Sequence, residues 1–128
     1  MQIKFADVMV EDQGRALDFY TKVLGFKKMA DIPMGEYRFL TVVSSDAPEA
    51  TQLVLEPMAF PPARVFQKAL FDAGIPITAF STDDIEGEVS RLKALGVHFR
   101  GEPQSLGPIT SVLFEDGCGN LINLVQPT

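Results

Sequence analysis

FEDGCGNLINLVQP, residues Phe114 to Pro127, reads as strand, tight turn, strand. Val112 to Phe114 leads in, Glu115 to Asn120 makes the turn, and Leu121 to Val125 leads out. Gly117 and Gly119 allow positive φ, while Asp116 and Asn120 suit turns through local side-chain hydrogen bonds. Side chains in the outgoing strand alternate between faces. Ile122 and Leu124 therefore share one face, and Leu121, Asn123 and Val125 share the other. Asn123 is a lone polar residue on an otherwise apolar face, so it is either a pocket residue or a rim amide satisfied locally.

Outward from this hairpin, the chain has 128 residues. That suits a single domain able to bury roughly two-thirds of its unfolded surface. Apolar residues make up 46% and the formal charge is −6, with no Lys/Arg-rich run. The composition predicts a folded globule and argues against a general nucleic-acid or anionic-membrane binder, which needs clustered cations. Cys118 is the sole cysteine. No internal disulfide can form, and a reducing cytoplasm is the expected location. Lys4, Asp7, Glu11 and Asp12 fall where a secretory signal needs an apolar core, and no stretch suits a membrane span.

From the start of the chain, Ile3 to Val10 reads as a strand. Asp12 then caps a helix whose apolar positions Ala16, Leu17, Phe19, Tyr20, Val23 and Leu24 recur at helical spacing until Gly25. Such a cap contributes about 1 kcal/mol. Lys27 to Asp31 and Tyr37 to Val43 are strands separated by a turn at Pro33-Met34-Gly35, and Thr51 to Glu56 is a strand ending at Pro57. Met58 to Ile75 reads as a connector with a short helix opened by Pro61 and Pro62. Ile77 to Thr82 is then a strand, and Asp83 or Asp84 caps a helix with Ile85, Val89, Leu92 and Leu95 as its stripe. Val97 to Arg100 is a strand, and Glu102 to Pro108 a loop before the closing hairpin.

The two halves repeat one pattern. Asp12 matches Asp84, Leu24-Gly25-Phe26 matches Leu95-Gly96-Val97, and Thr51–Glu56 matches Leu121–Gln126. A repeat this long is no solenoid unit. The expected fold class is α+β, built from two βαβββ modules: residues 1–57, a connector 58–75, and residues 76–128.

With Asp18-Phe19-Tyr20, Leu24-Gly25-Phe26, Leu92 to Val97, Phe114-Glu115-Asp116 and Gly119-Asn120 in this order, the whole chain resembles the vicinal oxygen chelate superfamily. That superfamily includes glyoxalase I, extradiol dioxygenases and bleomycin-resistance-type binding proteins. The resemblance implies curved mixed sheets forming a cup with helices outside. It also implies one metal ligand on the first and one on the last strand of each module in metal-dependent members. Those positions fall on Phe5, Gln52, Ile77 and Asn123. Phe and Ile carry no donor, and neutral amide oxygens are poor ligands for Zn²⁺, Ni²⁺ or Fe²⁺. Shifting the register by one residue restores no ligand set. His98 is the only histidine and lies away from all four positions, which suits a structural or surface role. Cys118, beside Glu115 and Asp116, lacks the electropositive setting of a reactive thiol.

The implied cup face takes Phe5, Asp7 and Met9 from the first strand and Gln52, Val54 and Glu56 from the fourth. Ile77, Ala79 and Ser81 come from the fifth, and Leu121, Asn123 and Val125 from the last. Asp7 there has either a raised pKa, a partner in Arg38 or Arg100, or a place on the wet rim. The expected ligand-binding residues are Phe5, Asp7, Met9, Gln52, Val54, Ile77, Ala79 and Asn123. The expected function is metal-independent, cofactor-free binding of a planar, neutral or cationic small molecule by a homodimer. The alternative is a glyoxalase-, lyase- or dioxygenase-type enzyme with a non-standard or absent metal site. Fold alone does not choose between them.

Overall fold

The computed structural model describes residues 1–128 and divides them into two compact units, Met1–Phe66 and Gln67–Thr128. In the first unit the order is β1 (Phe5–Val10), α1 (Gln13–Asp18), β2 (Lys27–Met34), β3 (Tyr37–Val43) and β4 (Gln52–Pro57). These strands form one sheet in the order β1-β4-β3-β2. β1 runs parallel to β4, and the other pairs are antiparallel.

Alternation along each strand places Val8, Val10, Leu40, Val42 and Leu55 on one face, where all are buried with Ala16 and Tyr20 of the helical segment. Asp12 caps α1 as expected, accepting the Arg15 amide at 2.9 Å. The helix then widens into a π-helical turn over Phe19–Val23, in which the Leu24 amide bonds to the Phe19 carbonyl. Gln13 is buried and fastens α1 to the sheet. Its Nε2 donates to the Arg38 and Leu55 carbonyls, and its Oε1 accepts the Arg38 amide.

Helix α2 (Pro61–Asp72) leads toward β5 (Thr78–Ser81), α3 (Ile85–Ala94), β6 (Gln104–Leu106), β7 (Ile109–Glu115) and β8 (Leu121–Pro127). The second sheet has the order β5-β8-β7-β6, with β5 parallel to β8. Both halves are therefore βαβββ, and the fold is α+β with two four-stranded mixed sheets. The α3 residues Ile85, Val89 and Leu92 are buried, as are Val112, Phe114, Ile122 and Leu124 on one face of this sheet. Asp84 caps α3 through the Gly87 amide.

The central hairpin turn is closed by its own polar side chains. Asp116 Oδ1 accepts the Cys118 and Asn120 amides at 2.7 and 3.0 Å, and Oδ2 accepts Asn120 Nδ2 at 2.8 Å. Gln67 Nε2, on α2, donates to the Cys118 carbonyl at 3.2 Å and to Asn120 Oδ1 at 3.1 Å. Asp116, Cys118 and Asn120 are all buried, as a turn with so many internal partners can be.

Several boundaries differ from the sequence reading. β2 runs through Pro33 to Met34, and the turn falls at Gly35 with φ +64°. Pro33 is tolerated because β2 is an edge strand, where a missing N–H breaks no ladder bond on the solvent side. Val97 to Arg100 makes only one bridge, Phe99 to Phe114. The strand beside β7 is instead β6, within the stretch read as loop. Gly107 at φ +67° lets the chain reverse there, so pairing starts just after Pro103. β1 and β5 begin two and one residues later than expected, at Phe5 and Thr78.

Candidate functional site

On the first sheet, the face away from α1 carries the residues of mixed polarity. Register places Phe5 beside Gln52, Asp7 beside Val54, and Met9 beside Glu56. β3 adds Thr41 beside Val54, and β2 adds Ala30, Ile32 and Met34 beside Thr41, Phe39 and Tyr37. The rings of Phe5 and Phe39 meet edge to face, with centroids 5.8 Å apart and planes at 78°. Phe5, Ile32 and Met34 remain about half exposed or more. A large apolar surface left in water beside polar groups is the usual character of a binding face.

Two carboxylates share this face. Burial raises the pKa of Glu56, and the nearby charge of Asp7 raises it further. The arginines considered as partners for Asp7 are engaged elsewhere: Arg38 pairs with Asp31 at 2.8 Å, and Arg100 with Glu115 at 2.9 Å. Beside them, Gln52 Oε1 accepts the Thr41 hydroxyl at 2.7 Å, while Thr41 Oγ1 accepts the Ala30 amide at 3.1 Å. Gln52 is therefore oriented with its amide nitrogen free to donate. Val54 is only 4% exposed and acts as backing beneath these groups.

In the second unit, Ala79 and Leu113 lie beside Asn123, and Ser81 lies beside Val125, all on the face away from Ile122 and Leu124. Asn123 is half-buried, and its side-chain amide hydrogen-bonds to no other protein group. Ile77 lies one residue before β5, but its amide still donates to the Leu121 carbonyl. Leu121 shares the face of Asn123 and is buried. His98 is exposed and sits 3.4 Å from Glu115. Cys118 is buried in the turn, as a structural residue would be.

The four positions that hold metal in metal-dependent relatives do not suit one here. In the first unit, Phe5 has no donor atom, and Gln52 offers only a neutral amide oxygen, which already accepts the Thr41 hydroxyl. In the second, Ile77 has no donor and Asn123 offers a neutral amide. Nowhere in the chain do three or more His, Cys, Asp or Glu side chains gather in a cation-binding group.

Phe39, Thr41, Ile32 and Met34 were missed by the sequence reading as members of the first face. The signal was present in YRFLTVV, where Tyr37, Phe39 and Thr41 alternate with Arg38, Leu40 and Val42. Following the strand parity from Gln52 into β3 would have found them.

The sequence matches the Glyoxalase/Bleomycin resistance protein/Dioxygenase superfamily over residues 2–124. The chain belongs to this superfamily. Its relatives include the YurT protein of Bacillus subtilis (strain 168), 47% identical over 126 residues, covering 98% of this chain and 99% of that one. Among solved structures it resembles UcmS2, with a TM-score of 0.83 and 28% identity over 98% of this chain and 97% of that one. It also resembles TnmS3, an antibiotic binding protein from Streptomyces sp. CB03234. There the TM-score is 0.79 and the identity 31%, covering all of this chain and 97% of that one. Superfamily membership and this neighbour fit a small-molecule binding role. No helix of the chain is long and apolar enough to cross a membrane.

Proposed function

We propose that the chain binds a planar organic molecule, neutral or cationic, on the face of the first sheet away from α1, without a metal or other cofactor. The observation that carries this reading is the Phe5–Phe39 corner standing on the same face as Asp7 and Glu56. The rings offer a wall and an edge for a flat ligand. Met9, beside Glu56, adds a polarisable, adaptable contact. The carboxylates disfavour an anion, because like charges on an open face repel it. Gln52, through its free amide nitrogen, is a hydrogen-bond donor for a ligand carbonyl.

TnmS3 supports a small-molecule ligand, since its similarity runs the whole length of the chain and it is an antibiotic binding protein. The role we assign is sequestration or carriage of such a compound in the cytoplasm, by a homodimer. A thermal-shift panel of planar compounds tests it. Neutral and basic aromatics should raise the melting temperature, with smaller shifts for Phe5→Ala and Gln52→Ala. Stabilisation by glutathione conjugates or phosphonates alone contradicts the reading, as does an unchanged response in both variants.

A further inference from the structure

Val10 and Pro57 end β1 and β4 side by side, and Tyr37 opens β3 at the same end of the first sheet. Beyond them lies a cleft of about 340 Å³, lined also by Asp12, Gly14, Glu36, Arg38, Met58 and Arg64. The cleft takes none of Phe5, Asp7, Gln52 or Glu56, and of the residues on the face described above only Tyr37 borders it. Its volume is at the lower end of the range for small-molecule sites.

The groups already committed leave a defined remainder. Gln13 is consumed by backbone bonds, and one oxygen of Asp12 caps α1. Arg38 gives Nε and Nη2 to Asp31 at 2.9 and 2.8 Å. Its Nη1 makes no hydrogen bond and stands 3.9 Å from where a Cβ on Gly14 would be, with the charge of Asp12 acting on the same guanidinium. Arg64 is exposed and pairs with no carboxylate, and the Glu36 carboxylate has no cationic partner. Both signs of charge are therefore unmet in one cleft, with Val10, Pro57 and Met58 as apolar lining between them.

We propose that this cleft is a second binding site, for a zwitterion of amino-acid size, with its carboxylate at Arg64 and Arg38 Nη1 and its ammonium at Glu36. A simple anion would face Glu11, Asp12 and Glu36, and a simple cation would face two guanidinium groups. Only a molecule carrying both charges satisfies each set. The apolar lining suits an aliphatic side chain. Because the charges are solvent-exposed, the affinity is weak.

The test is a ¹H–¹⁵N chemical-shift titration of the full chain with L-leucine, N-acetyl-L-leucine and L-leucinamide. L-Leucine should move the amides of Gly14, Tyr37, Met58 and Arg64 and leave those of Phe5 and Gln52 in place. Blocking either end of the probe should weaken binding about fivefold or more, the effect of losing roughly 1 kcal/mol. Arg64→Gln and Glu36→Gln, both at exposed positions, should do the same. Equal binding of a blocked analogue, shifts only at Phe5 and its neighbours, or no shifts at all would overturn the assignment.

Discussion

The Thr41 hydroxyl donates to Gln52 Oε1 at 2.7 Å, and this bond fixes what the first sheet can offer a ligand. Thr41 also accepts the Ala30 amide, so its single proton has nowhere else to go. Gln52 must then present N–H donors, which bind carbonyl groups and repel cationic metals. Elemental analysis of the purified protein should accordingly find transition metal far below one ion per chain. A stoichiometric metal whose removal abolishes ligand binding would contradict this account.

Glu56 makes the first face sensitive to pH. Its pKa is raised above the ordinary value of 4.5 by burial and by Asp7. The folded state therefore favours the protonated acid, and this contribution is full below pH 4.5 and is lost as pH rises through the folded pKa. Glu56→Gln, which keeps the shape without the charge, should melt higher than the wild type at neutral pH. The difference should close as pH falls below the ordinary glutamate value. Calorimetry across that range checks both the sign and the window.

Gly119 holds φ at +97°, and a Cβ there would stand 2.7 Å from Gln67 Oε1. Gly119→Ala should therefore destabilise the protein by about 1–3 kcal/mol, from backbone strain and from this clash together. In a Gln67→Ala background the clash is gone, so the added cost of Gly119→Ala should shrink without vanishing. Urea unfolding of the four proteins measures the coupling directly.

Much of the fold was legible because local chemistry and long-range pattern agree. Asp12 and Asp84 cap helices where they were expected to, and Gly25 and Gly96 follow those helices with positive φ. The failures have a common cause. Whether Pro33 interrupts a strand depends on its being at a sheet edge, and whether 104–106 pairs depends on β7 being its neighbour. Neither fact is local. The site shows the same limit: Phe5 and Gln52 were found from strand parity within two strands, but placing Phe39 on that face requires the pairing of β3 with β4, and its ring contact with Phe5 is set by tertiary packing. Likewise Asp7 drew notice as the acid of the cup but is exposed, while burial, and after it the charge of Asp7, opposes the ionisation of Glu56.

The proposed homodimer is open to a mass measurement. Phe60, Val65 and Phe66, at the start of α2 and just before it, are all more than half exposed. Apolar exposure of this kind favours association. Light scattering at micromolar concentration should give twice the chain mass of 14.0 kDa, and a monomer mass would count against the dimer.

The most direct test of the central claim is an equilibrium titration of chelator-treated protein with proflavine, a planar cationic acridine, followed by fluorescence. Saturable binding at one site per chain is predicted, about tenfold or more weaker in Phe39→Ala, the loss expected when an aromatic contact worth about 1.4 kcal/mol is removed. Binding that requires added metal, or that is unchanged in Phe39→Ala, would contradict the claim that this face is a metal-independent site for flat organic molecules.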